Sequence, residues 1–303
     1  MNFELQQPKQ VISLASSALI VSVEVNVWTA TKQDRQISNE VTTLKNATSE
    51  SGKFTKNLLS NSPKHKALLN HRQTVYNWLQ RCTYDWAGKM RLLPQVGLEK
   101  FMKEFNELEK DFKALYLDFK AEYPSMVSDA AFKQGDMFDR TEYPEPDLLD
   151  TKFRMRLLVT QVPKSDFRSS ISSVIADDLT SHYEDQVKEI IDRAMADASE
   201  RLVLFASRIS NACTEAEAGD DGKVKRKKIY ESTISQAKEI CDTLKAFNLT
   251  NNAEIETARA QLEAALDGVS LEDLRESSYV RATVKESVDD MLSKFQPLKV
   301  MYD

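Results

Sequence analysis

The chain has 303 residues, 41% of them hydrophobic and 29% charged, a globular balance that excludes wholesale disorder. Seven glycines and eight prolines are few for a turn-rich chain, so helices are expected to dominate. The 41 basic and 47 acidic residues give a formal charge of −6, which argues against a broad polyanion-binding surface and leaves room for a local basic patch.

The opening stretch, MNFELQQPKQVISLASSALIVSVEV, does not read as a signal peptide. Glu4 precedes the first positive charge, Lys9, and Ser16, Ser17 and Ser22 break an apolar run that is patterned as a strand. Over ALIVSVEVNVWTAT, residues 18–31, Leu19, Val21, Val23, Val25 and Val27 fall on one face. Ile20, Ser22, Glu24, Asn26 and Trp28 fall on the other. Such a strand needs a partner.

Helical spacing follows at Ile37, Val41 and Leu44, and again at Phe54, Leu58 and Leu59, with Gly52 weakening the middle. Ser62 and Pro63 mark the start of a helix that carries Leu68, Leu69, Val75, Leu79 and Cys82, with Tyr76, Trp78, Tyr84 and Trp86 riding along. Gly88 and Pro94 bracket its end. The clearest periodicity is in VGLEKFMKEFNELEKDFKALYLDFKAEYP. Phe101, Phe105, Leu108, Phe112, Leu115, Phe119 and Tyr123 recur at steps of four and three, one stripe on one helix, with Pro124 expected to stop it. A core role for these aromatics outweighs a base-stacking platform, because the stripe is continuous and flanked by paired charges.

A loop rich in acids and prolines, QGDMFDRTEYPEPDLLD, leads to TKFRMRLLVTQVP. There Phe153, Met155, Leu157 and Val159 alternate with Arg154, Arg156, Leu158 and Thr160, which gives the first strand its expected partner. A bare two-stranded ribbon is marginal in water, so it should pack on helices or gain strands from another chain.

From Ser165 to about residue 217 no Gly or Pro interrupts the chain. Tyr183, Val187, Ile190, Ala194, Ala198, Leu202, Phe205 and Ile209 form a seam, matched by Ile234, Ala237, Cys241, Leu244 and Phe247 on a return helix, with a tip at EAGDDGKVKRKK. Two shorter helices close the chain, the last capped by Ser270 with Glu272 and Asp273 in its first turn. The expected class is mainly α with a small antiparallel β-ribbon (α+β) and a long helical hairpin or coiled coil in the C-terminal half. The expected organisation is a helical domain over 1–165 with its returning strand near 153–162, the hairpin over 166–250, and C-terminal helices over 251–303 packing on it.

Chemistry is sparse. Cys82, Cys213 and Cys241 make neither a CxxC pair nor a disulfide framework, and a reducing cytoplasm suits them. No segment reaches the ~18 apolar residues that span a bilayer, so no membrane role is expected. His65 and His71 are six residues apart and fall on different helix faces, unlike paired zinc ligands. No nucleophile elbow, Cys–His arrangement or glycine-rich phosphate loop occurs, and neither cofactor nor metal is expected. Asp136, Asp139 and Glu142 would be the ligands of a metal-dependent enzyme, although their spacing does not match a calcium loop. The one strong basic block is Lys223, Lys225, Arg226, Lys227 and Lys228, a candidate nucleic-acid contact with steep salt dependence.

The passage from FKAEYP to GDMFDRTEYPEPDLLDTKFRMRLLVTQVPKSDFR resembles a family of uncharacterised phage and prophage proteins, members of which are encoded beside MoxR-type AAA+ ATPases. The resemblance covers roughly residues 10–215, in loose spacing patterns, and carries no catalytic residues. It implies a partner, an ATPase ring that remodels, loads or removes the protein. The resulting expectation is a non-enzymatic phage-type interaction protein, oligomeric, self-associating through the β margin at Val21, Val23, Val25 and Val27. The alternatives are a nucleic-acid-binding accessory protein and, last, the metal-dependent enzyme.

Overall fold

A computed structural model describes residues 14–59, 62–163, 173–218 and 224–298. In chain order its elements are α1 (Leu14–Ser17), β1 (Ala18–Asn26), β2 (Thr31–Asp34), α2 (Arg35–Leu44), β3 (Phe54–Asn57), α3 (Pro63–Cys82), β4 (Tyr84–Ala87), β5 (Met90–Pro94), α4 (Leu98–Gln134) and α5 (Leu149–Lys152). They continue with β6 (Arg154–Gln161), α6 (Ser173–Cys213), β7 (Glu215–Ala218), β8 (Val224–Arg226), α7 (Glu231–Phe247), α8 (Ala253–Leu266), α9 (Leu271–Glu276) and α10 (Ser278–Lys294). The protein is mainly helical with a small antiparallel sheet. The largest sheet has the order β4-β5-β1-β6, so the two strands expected to meet are neighbours.

That sheet is larger than the expected ribbon. Tyr84 and Trp86 lie in a strand rather than at the end of a helix. Both are buried while Asp85 and Ala87 are exposed, a period of two. Gly88, at φ 58°, opens the two-residue turn between Ala87 and Met90, where a left-handed first residue suits hairpin twist. The second helical stretch expected near Phe54 is likewise a strand, β3, paired antiparallel with β2 in the register Thr31↔Asn57 to Asp34↔Phe54. β1 has a neighbour on each side, and Val21, Val23, Val25 and Val27 are all buried. The four valines expected as a self-association margin therefore have their side chains in the core, and β5 pairs with β1 only over Ala18–Val21.

The chain divides into two compact units, each assembled from separated stretches, with boundaries inside β1 and β6. One comprises residues 22–82 and 99–158. Here α3 and α4 run antiparallel. Trp78 stacks on Phe101 with centroids 4.7 Å apart, His71 donates through Nε2 to the Leu108 carbonyl (2.9 Å), and Lys64 pairs with Glu122 at 2.7 Å. The expected stripe supplies the core: Phe101, Phe105, Phe112, Phe119 and Tyr123 are all buried.

Pro124 does not stop α4, which runs on to Gln134. An interior proline costs a helix about 3 kcal/mol, whereas burying each large apolar side chain returns roughly 1.5–3 kcal/mol. Phe119 and Tyr123 before the proline, with Val127 and Ala130 after it, are buried on one continuous face, so packing outweighs the break. Tyr123 also donates its hydroxyl to the Pro144 carbonyl at 2.8 Å.

The other unit comprises the stretch up to Val21, residues 83–98 and the chain from Val159 onward. Its centre is a bundle in which α6 packs on α7 and α10, and α8 on α7 and α10. The expected seam is buried at Ile190, Ala194, Ala198, Leu202 and Ile209 of α6 and at Ile234, Ala237, Cys241, Leu244 and Phe247 of α7. Hence α6 and α7 do form a helical hairpin, but α8 and α10 share its apolar face. Ser270 caps α9 in a full capping box with Asp273. Ser277 then caps α10 and breaks what reads in sequence as one final helix. The Tyr84 ring stacks on Phe247 (5.5 Å, 8° between planes), with the Arg201 guanidinium 4.8 Å from its centroid. Among the described residues no helix is long and apolar enough to cross a membrane.

Candidate functional site

The β2-α2-β3 segment carries the most unusual surface. α2 is held at both ends by local hydrogen bonds. The Asp34 carboxylate caps it by accepting from the Ile37 N–H at 3.1 Å. At its other end Asn46 adopts φ 53°, Ala47 N–H donates to the Thr42 carbonyl (2.8 Å) and Asn46 N–H to the Thr43 carbonyl (3.0 Å), the two bonds of a Schellman closure.

Between these caps the helix is inverted. Ser38 and Thr42 are buried at 6% exposure each, while Val41 is 49% and Leu44 79% exposed. The buried hydroxyls are satisfied locally. Ser38 donates to the Asp34 carbonyl and accepts from the Phe54 N–H (2.9 Å), and Thr42 donates to the Ser38 carbonyl (3.0 Å). Half-buried Ile37 and exposed Phe54 extend the outward apolar stripe.

A buried lysine anchors this segment. Lys56 sits opposite Lys32 in the β2–β3 register and turns inward. Its ammonium lies 2.8 Å from Glu142 and 3.4 Å from Asp34, and donates to the Met137 carbonyl at 2.9 Å. Burial opposes its charge, but the Glu142 and Asp34 carboxylates together raise its pKa above the ordinary lysine value. The Asp34 pKa is lowered, first by the Ile37 N–H and, against burial, by Lys56. Beside the cluster is an open recess of about 500 Å³ lined by Lys32, Gln33, Asp34, Arg35 and Glu142. Gln134 donates to the Asn57 and Leu58 carbonyls at 3.0 and 3.1 Å, and the Tyr143 hydroxyl donates to Leu58 at 2.8 Å.

Of the three acids of the metal-dependent reading, Glu142 and Asp139 are engaged within the fold. Glu142 pairs with Lys56, and Asp139 accepts from both the N–H (2.9 Å) and hydroxyl (2.7 Å) of Thr141, which lower its pKa. Asp136 is exposed. Among the described residues no group of three or more His, Cys, Asp or Glu side chains gathers as a metal site. His65 is buried and donates through Nε2 to the Trp28 carbonyl at 2.6 Å; burial holds its pKa down.

The basic block is only partly described. Lys223 lies outside the described residues, and Lys225 and Arg226 lie in β8, which pairs with β7. Lys227 and Lys228 are exposed, and the Lys228 ammonium sits 5.6 Å from the centroid of the exposed Tyr230 ring. The run is pinned from behind by Arg281, 2% exposed, whose guanidinium donates to the Lys227 (2.9 Å), Ala212 (3.3 Å) and Leu274 carbonyls. Nothing in the sequence distinguishes Arg281, or Lys56, from the surface cations. The chain matches no family model, no curated protein and no solved structure.

Proposed function

We propose that this chain is a non-enzymatic association protein and that the outward face of α2 is its contact surface. The observation that carries the reading is the inversion of that helix, with Val41 and Leu44 in water and Ser38 and Thr42 in the interior. A helix that spends its hydroxyls inward and its branched aliphatics outward is suited to receive another apolar surface. The resemblance to phage proteins encoded beside MoxR-type AAA+ ATPases names one class of partner, a ring that remodels or loads the chain. A reducing cytoplasm suits Cys213 and Cys241, both buried as thiols, with burial pushing Cys241 up to about 12.

Light scattering at two protein concentrations, with and without a MoxR-type ATPase, tests this on the parent and on Leu44→Glu. Leu44 is exposed, so the variant should fold, and the parent should form a complex that the variant does not. A parent that stays monomeric and captures no ATPase leaves the reading without support.

A second reading, nucleic-acid contact at the basic block, draws on the exposed Lys227 and Lys228 beside Tyr230. Replacing Lys225, Arg226, Lys227 and Lys228 with Ala should flatten the salt dependence of DNA binding. If the parent binds no DNA at low salt, this second reading fails.

A further inference from the structure

We infer that the occupant of the α2 face is a second copy of this chain, docked so that the two α2 helices lie side by side and parallel. The inference rests on the reading of α2 as a contact surface and specifies what covers it. Ile37, Val41 and Leu44 are separated by four and then three residues, which are alternating d, a and d positions of a heptad. With Val41 at a, Glu40 falls at g and Lys45 at e.

Both flanking residues are exposed, and neither makes an ion pair with any described residue; Glu40 only accepts from the Gln36 amide one turn back, at 3.1 Å. In a parallel pair the g residue of one helix faces the following e residue of the other. Glu40 then meets Lys45 of the second copy, and two-fold symmetry makes the contact twice. In an antiparallel pair g faces g, and Glu40 would meet Glu40. The charges thus select one orientation, and in that orientation the surface is complementary to itself.

Preorganisation supports the same occupant. An isolated helix of ten residues would be unstable in water, and ordering it on binding would weaken the complex. Here the Asp34 cap, the Schellman closure at Asn46 and the Ser38–Phe54 hydrogen bond have already fixed α2 and placed Phe54 beside it. The face is presented rigid, with no segment to order on contact.

The experiment is a charge swap on the full chain, read by sedimentation velocity over a wide concentration series. The parent should dimerise reversibly. Leu44→Glu should remain monomeric with an unchanged circular dichroism spectrum. Glu40→Lys and Lys45→Glu should each weaken the dimer roughly tenfold, because each sets like charges together twice. The Glu40→Lys/Lys45→Glu double variant should return to within about threefold of the parent. A double variant as weak as the single ones, or a parent monomeric at every concentration, overturns the parallel second copy. If the parent is monomeric but Leu44→Glu still abolishes capture of the ATPase, the face is a contact surface with a different occupant. If the parent is a dimer that Leu44→Glu leaves intact, both the occupant and the contact-surface reading fall.

Discussion

Replacing Lys56 with Met keeps most of the side-chain volume and removes the ammonium that joins β3 to Asp34, Glu142 and the Met137 carbonyl. The Glu142 and Asp34 side chains are only 12% and 17% exposed, so the variant leaves two poorly hydrated carboxylates without their cation. Breaking a buried pair from one side costs about 3–5 kcal/mol. The residual exposure of both acids puts the expected loss at the low end, about 3 kcal/mol. In a domain of this size that lowers the melting temperature by roughly 10 °C. Urea unfolding followed by tryptophan fluorescence reads it, since Trp28 and Trp78 lie in the same unit as the cluster. A Lys56→Met/Glu142→Gln double variant should recover more than half the loss, because it also removes one stranded charge. The pH dependence has a fixed sign. The raised Lys56 pKa adds stability that is present below the unfolded lysine value and lost as pH rises through the folded one. The lowered Asp34 pKa adds stability that is present above the unfolded carboxyl value and lost as pH falls through the folded one. Lys56→Met should remove the alkaline limb and only reduce the acid one, because the Ile37 N–H still holds the Asp34 pKa down. A variant within about 0.5 kcal/mol of the parent, with both limbs intact, would show that the cluster contributes no net stability and refute the reasoning.

Arg281→Met should cost the bundle about 2–3 kcal/mol, because three carbonyls from three separate segments lose a charged donor. Arg281→Lys should recover only part of it, since one ammonium lacks the fork that reaches all three; full stability of either variant in urea would contradict this. Pro124→Ala should stabilise α4 by roughly 1–3 kcal/mol, as Pro124 is exposed and its replacement restores a backbone donor; a lower melting temperature would mean that the proline is needed for packing. Burial first of all pushes the Tyr84 hydroxyl up to about 12, so its contribution to stability is complete below the ordinary tyrosine value near ~10 and is lost as pH rises towards 12. Absorbance at alkaline pH should show this phenol ionising well above an ordinary tyrosine and together with unfolding, alongside the also raised Tyr116 and Tyr123, and Tyr84→Phe should lower the amplitude of that late step by one phenol.

The elements legible in the sequence are those whose pattern is strong over many residues. The α4 stripe, the α6 and α7 seams and the alternation in β1 and β6 each repeat often enough to fix both element and face. β2 and β3 carry no such signal. TKQD and FTKN are four residues long and mostly polar, and their one inward side chain is a lysine that needs Glu142, about 86 positions away, to be buried. β4 was obscured because Tyr84 and Trp86 continue the spacing of Trp78 and Cys82, so only Gly88 marks the change of period. Pro124 misleads for the opposite reason: a local rule is sound, but Val127 and Ala130 beyond it outweigh the rule.

The candidate site shows where periodicity stops being informative. Ile37, Val41 and Leu44 mark a helix correctly, yet a helix with one apolar stripe can turn that stripe either way. What decides the rotation of α2 is hydrogen bonding at its ends and flank. Asp34 is committed to Ile37 and Lys56, and Ser38 is committed to the Phe54 N–H, so the 34–38–42 side must face β3. With that side fixed inward, Leu44 and Val41 are carried outward. Turning the stripe inward would strand the Phe54 N–H, a loss of about 1–3 kcal/mol, and would also separate Asp34 from Lys56, which together offset what burying the two aliphatic side chains would return. The contact face is therefore a consequence of polar commitments elsewhere in the segment. Variants at Ser38, which touch no partner, should weaken association by loosening the rotation of α2 rather than by removing a contact.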